Sequence, residues 1–156
     1  MGKYRVNYES AGTELVKIND EIFTRPMLAT DWSEPSQNAI EALDAFSGVA
    51  KECLLCHVID EKLTKGISEA DFDEIRQESQ ARLDAVQKQL ADAPFKVSTC
   101  LAVGQTVPEI LRTSREQEAS LIVMGRTGKD WFEEYWLGGV THRVAELSEL
   151  PVMVVP

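Results

Sequence analysis

The residues best placed for chemistry lie between Leu121 and Thr141, in the stretch LIVMGRTGKDWFEEYWLGGVT. Gly125 and Gly128 follow an apolar run directly, and nine residues separate Gly128 from the pair Gly138-Gly139. Glycine lets backbone approach a ligand closely, or turn with positive φ, at no steric cost. The pair precedes Val140, Val144 and Leu147, which have helical spacing. A strand, a glycine turn, a loop and a glycine pair opening a helix would aim backbone N–H groups and a helix N-terminus at an anion, which suits phosphate binding. Glycines also end strands and helices as ordinary punctuation, and spacing alone leaves both readings open.

Other groups invite chemistry less strongly. Cys53-x-x-Cys56 beside His57 resembles a redox or zinc motif, but an odd separation along a strand sends the two side chains to opposite faces. They then cannot share one metal or one disulfide, and read as small buried hydrophobes. Cys100, on another strand, makes no pattern with them. His57 reads as a core or rim histidine, and His142 either assists a phosphate or simply stands at a helix start. The chain has no Gly-x-x-x-x-Gly-Lys-Ser/Thr loop of P-loop NTPases.

A chain of 156 residues, 44% hydrophobic and 27% charged, suits one soluble domain with a core of its own. No apolar run is long enough to span a membrane, and Met1 to Asp20 lacks the apolar region of a signal peptide. A net charge of −10 argues against non-specific binding to nucleic acid or to an anionic membrane. A polyanionic ligand would have to be held by a local field opposing the global one. Three cysteines point to a reducing cytoplasm rather than a disulfide framework.

The elements that must position these residues follow from periodicity. Residues 1–21 carry little pattern and read as an N-terminal arm or linker. Phe23 to Thr30 reads as the first core strand, with Met27-Leu28-Ala29 its firm part because Pro26 weakens the beginning. Ser33 caps a helix reaching about Ser47. Cys53 to Ile59 is a second buried strand, and Ser68 to Leu90 a long amphipathic helix. Phe95 to Val103, less hydrophobic, reads as a third strand near a sheet edge. Thr106 and Glu109 read as a capping box for a helix through Ser114. The strand from Leu121, a helix to about Ser148 and a last strand, Val152 to Val155, complete the chain. Five strands alternating with four helices predict a single open, doubly wound parallel α/β sheet with helices on both faces. Its ligand site would lie beyond the strands' carboxyl ends where strand order reverses. Thr30-Asp31 and Met124-Gly125 carry the unusual chemistry there.

Over Phe23 to Val155 the chain resembles the universal stress protein family. The resemblance rests on Ala29-Thr30-Asp31-Trp32-Ser33-Glu34-Pro35-Ser36, on His57-Val58-Ile59-Asp60, on Leu121 to Gly125, and on Leu150-Pro151-Val152-Met153-Val154-Val155. Gly125, Gly128 and Gly138 also match the family's nucleotide motif of Gly, two residues, Gly, nine residues, Gly and Ser or Thr. The resemblance implies a stress protein domain over residues 22–156, of the adenine-nucleotide alpha-hydrolase-like type, with sheet order 3-2-1-4-5. It implies an ATP or AMP site with Asp31 and Val58 beside adenine and ribose, and Ala29 and Thr30 on the same wall. Met124 and Gly125 would lie under the nucleoside, Gly128 and Arg126 near the phosphates, and Gly138, Gly139, Val140 and Thr141 around them, with Mg2+ a possible companion of the phosphates. It implies a homodimer through Val152 to Val155, a cytoplasmic stress or signalling role with a protein partner it does not name, and no dedicated catalysis. Lys3-Tyr4-Arg5-Val6 resembles the segment after a first domain in tandem stress proteins, which would make this chain the second half of a longer one.

The chain departs from the pattern twice. Gly139 stands where the motif has Ser or Thr, removing a hydroxyl donor to a terminal phosphate, and Thr141 is the nearest substitute. The loop Lys129 to Leu137 carries three acids and four aromatics, which would repel a triphosphate unless Arg126, Lys129 or a divalent cation compensated. Two alternative functions therefore stand beside nucleotide binding: a protein-interaction module that has lost ATP, and a slow ATPase with Glu133 or His142 as base. The histidine-rich signature of nucleotidyl transferases is missing after the first strand.

Overall fold

The structure, a computed structural model, describes residues 21–126 and 138–156. Its five strands are β1 (Pro26–Ala29), β2 (Glu52–Asp60), β3 (Lys96–Gly104), β4 (Leu121–Gly125) and β5 (Val152–Val155). They form one parallel sheet in the order β3-β2-β1-β4-β5. The most apolar runs take the middle: every residue of β1 and β4 is buried. Strands covered on both faces gain from apolar residues at successive positions rather than alternate ones. β3 is an edge strand, with only Ala102 buried, as its lower hydrophobicity predicts.

Among the described residues four helices of eight residues or more cover the sheet: α1 (Glu34–Glu41), α2 (Glu69–Gln89), α3 (Thr106–Glu116) and α4 (Gly139–Leu147). Successive strand residues feed opposite cores. Leu28, Cys53, Leu55 and Val123 pack with Ile40 of α1, Leu43 of the turn after it and Leu83 of α2. Met27, Leu54, Cys56, Ile122 and Met124 pack with Ile110 of α3 and Val144 of α4. Cys53 and Cys56 therefore do lie on opposite faces, as their odd separation requires.

Several local expectations are corrected. Phe23 lies in a helical segment, residues 21–23, and the strand starts only at Pro26, whose missing N–H suits a strand's first position. Ser33 does cap α1, its side chain accepting from the Ser36 amide, but regular α-helix ends at Glu41 and tightens into a 3-10 turn, Ala42–Phe46. Thr106 is not a cap: Gln105 is, without a side-chain bond, and the Thr106 hydroxyl instead donates to Asp60 Oδ2 at 2.9 Å. The reciprocal capping box belongs to α2, between Ser68 and Asp71.

Register sets up the site. Ala29 pairs with Met124 on one side and with Cys56 on the other, so the chain leaves β1, β2 and β4 at one level. The residues just beyond, Thr30, His57 and Gly125, meet where strand order reverses.

Candidate functional site

A cavity of about 740 Å³ opens at that reversal. Its floor is Ala29, Thr30, Met124 and Gly125, one wall carries Asp31 and Val58, and the opposite end is the first turn of α4, Gly138 to Thr141. Ten of the twelve residues singled out in the sequence thus line one space. Arg126 is exposed and does not line it. Gly128, the loop Lys129 to Leu137 with Glu133, and residues 1–20 of the expected arm lie outside the described residues.

The floor is rigidly tied. The Thr30 amide donates to the Cys56 carbonyl at 2.9 Å, and its buried hydroxyl shares a 3.0 Å hydrogen bond with Ser36 and accepts from the Trp32 amide. His57 Nδ1 lies 2.7 Å from the Thr30 carbonyl. A carbonyl only accepts, so this nitrogen carries the proton and the tautomer is fixed. Asp31 Oδ1 accepts from the Ser33 amide at 3.0 Å, which aims the carboxylate at the rim.

Gly125 has a different reason to be glycine than the one its motif suggests. A Cβ there would stand 2.6 Å from the Pro35 carbonyl carbon and 2.7 Å from the Ser36 amide nitrogen. The start of α1 packs directly on β4, and backbone cannot give way as a side chain can. Gly139 faces open space, with nothing within 4 Å of an added Cβ. It is the first residue of α4, whose first-turn amides, Gly139, Val140 and Thr141, have no acceptor one turn back within the helix. They face the cavity with the positive end of the helix dipole. The Thr141 hydroxyl, buried, donates to the Gly125 carbonyl at 2.9 Å. Its hydrogen is therefore already used and does not replace the donor missing at Gly139. His142 is exposed and does not line the cavity.

The remaining wall escaped the sequence reading. α2 contributes Ile75, Glu78, Ser79 and Arg82. Arg82 pairs with Glu78 at 2.8 Å and lies over the Trp32 ring at 5.9 Å, while the other neighbour of that ring is His57 at 5.0 Å. Trp32 holds a φ of 65°, uncommon for a bulky residue. Asp60 closes the β2 end, its carboxyl held below the usual range mainly by the Lys62 amide and aided by Thr106. Ile75 and buried Ser79 lie on the inward face of the helix, where the sequence reads as core, and Glu78 and Arg82 beside them read as solvated charge.

Sheet, crossovers and cleft define a doubly wound α/β protein with its pocket at the topological switch point. The universal stress protein family model matches residues 23–156, and the chain belongs to that family. A universal stress protein of Methanocaldococcus jannaschii, MJ0577, is 29% identical over 154 residues, covering 86% of this chain and 95% of its own. The structure solved for MJ0577 superposes with a TM-score of 0.78 at 32% identity, over 86% of this chain and 96% of that one. Universal stress protein YxiE of Bacillus subtilis is 32% identical over 150 residues, 86% of this chain and 99% of its own. A universal stress protein of Archaeoglobus fulgidus, solved in complex with dAMP, shares the fold at 17% identity and a TM-score of 0.58, covering 86% of this chain and 99% of that one. Among the described residues no helix is long and apolar enough to cross a membrane.

Proposed function

We propose that this protein binds an adenine nucleotide, ATP or AMP, as a stress-response or signalling protein without dedicated catalysis. One observation carries the reading: the cavity runs without a break from the carboxyl ends of β1 and β4 to the first-turn amides of α4. That arrangement offers a nucleoside a floor and its phosphates a set of N–H donors. The dAMP held by the Archaeoglobus relative supports the same ligand class. In this reading Asp31 accepts from ribose hydroxyls or the exocyclic amine, Val58, Ala29 and Thr30 flank the nucleoside, and Met124 and Gly125 lie beneath it. Gly138, Gly139, Val140 and Thr141 hold phosphate through backbone, with Arg126 and Gly128 near it. A divalent cation such as Mg2+ would be carried by the phosphates, since no three metal-ligating side chains converge among the described residues.

The missing hydroxyl at Gly139 and the committed one at Thr141 favour a second reading of the phosphate end. The nucleoside and first phosphate provide the affinity, and the last phosphate adds little. Calorimetric titration of purified protein with AMP, ADP and ATP tests both. Binding of AMP within about tenfold of ATP is expected, and no binding of any adenine nucleotide at millimolar concentration would overturn the proposal. Gly139→Ser should tighten ATP relative to AMP by about tenfold, the worth of one hydrogen bond to a charged group. The homodimer is proposed to form through β5, an edge strand with Met153 exposed, in the cytoplasm. Light scattering of a Met153→Asp variant should then report monomer.

A further inference from the structure

Cys56 and Cys100 belong together, although nothing in their sequence spacing indicates it. They are register partners on adjacent strands β2 and β3. Neighbouring strands lie about 4.8 Å apart, inside the Cα separation of about 4.4–6.8 Å that a disulfide spans. Both side chains face the core beneath α3, Cys56 within the buried cluster that includes Ile110 and Cys100 packed against it. Cys56 is fully buried, Cys100 half-buried on the edge strand. The adjacent Cys56 thiol, and then the Arg112 guanidinium and the Thr113 hydroxyl, hold the Cys100 thiol below its ordinary range against the opposing effects of burial and, less, Glu116. The neighbouring Cys100 thiol and burial push Cys56 up, and Glu109 adds to this. One thiol is thus primed as the nucleophile and the other kept protonated beside it.

We propose that Cys56 and Cys100 form a hydroperoxide-reactive dithiol that closes into a reversible disulfide. The Cys100 thiolate attacks one oxygen of the hydroperoxide; the S–O bond forms as the O–O bond breaks, and the departing oxygen takes up a proton. Cys56 loses its proton and attacks the resulting sulfenic sulfur; the S–S bond forms and the hydroxyl leaves as water. Two thiols are oxidised, the peroxide is reduced to one alcohol (water, from hydrogen peroxide) and one water, and an external dithiol reverses the change. Cys56 lines the cavity and its carbonyl holds the Thr30 amide, so the new bond fastens the cavity floor to the edge strand. Cys53, buried on the other face with its thiol pushed up to about 12, takes no part.

The test is intact-mass spectrometry and thiol counting on the full chain, freed of reductant and exposed to equimolar hydrogen peroxide. The mass should fall by two hydrogens, and the thiols alkylated under denaturing conditions should fall from the chain's three cysteines to one. Dithiothreitol should restore them, and digestion should yield a peptide pair linked through Cys56 and Cys100. Cys53→Ala should behave like the parent, and Cys100→Ser should form no linkage. Arg112→Gln, at an exposed position, should fold normally and form the disulfide several-fold more slowly. Three alkylatable thiols after peroxide, oxygen added to one cysteine without a linkage, or a linkage through Cys53 would each overturn the proposal. None of these readouts depends on nucleotide binding.

Discussion

Gly125 matches the nucleotide motif and Gly139 departs from it, yet both line one cavity and are glycine for opposite reasons. At Gly125 the missing Cβ is replaced by the backbone of Pro35 and Ser36, so the residue sets how closely α1 can pack on β4. At Gly139 the missing Cβ leaves empty space. The first glycine is a requirement of the fold and the second is open to change. A glycine in the sequence therefore says that a side chain is missing without saying what fills its place.

The largest effect that could break this contrast is expected from Gly125→Ala. Overpacking costs about 1–3 kcal/mol, and more where the obstacle is rigid. With backbone atoms 2.6–2.8 Å from the added carbon, at least about 3 kcal/mol of stability should be lost in urea denaturation, or the variant should fail to fold. A loss no greater than that of Gly139→Ala would break the contrast. Thr141→Val comes next. It keeps the shape but leaves the Gly125 carbonyl without its buried donor, and should lower the unfolding free energy by about 1–3 kcal/mol.

A smaller effect should appear at the opposite end of the sheet, away from the cavity. The carboxyl of Glu52 is held below its usual range, first by the Ser98 hydroxyl and further by Arg25 and Lys96. A carboxylate favoured in the native state contributes stability above its unfolded pKa and loses it as pH falls through the native one. Wild type should exceed Glu52→Gln by under about 1 kcal/mol at neutral pH. The difference should vanish on acidification through and below the ordinary carboxylate range, read as melting temperature against pH. Gly139→Ala should change least, within about 0.5 kcal/mol, as for a surface substitution that touches nothing.

Much of this was legible because it is local. The runs Leu121 to Met124 and Cys53 to Ile59 declare buried strands, Ser33 declares a cap, and the weak hydrophobicity of β3 declares an edge. The sheet order came from the family resemblance, since periodicity does not order strands. What stayed hidden is non-local. Thr106 looked like a cap because its intended partner, Asp60, is 46 residues away and meets it only after β2 and α3 pack. The Cys56–Cys100 pairing depends on register, and Arg82 reaches the cavity only because α2 passes over Trp32. Gly125 was found, but its reason was not, because Pro35 lies far from it in sequence.

The Arg126 backbone has a further consequence. Its amide donates to the Val155 carbonyl at 2.7 Å, and its own carbonyl accepts from the Gly138 amide at 2.8 Å. These bonds join β4, β5 and the start of α4 into a clasp whose two chain ends already meet. Arg126 and Gly138, far apart in sequence order by the standards of a turn, are thus fixed to each other directly. The clasp is made of backbone alone, so the positions of the sheet edge and the start of α4 do not rest on any particular side chain there.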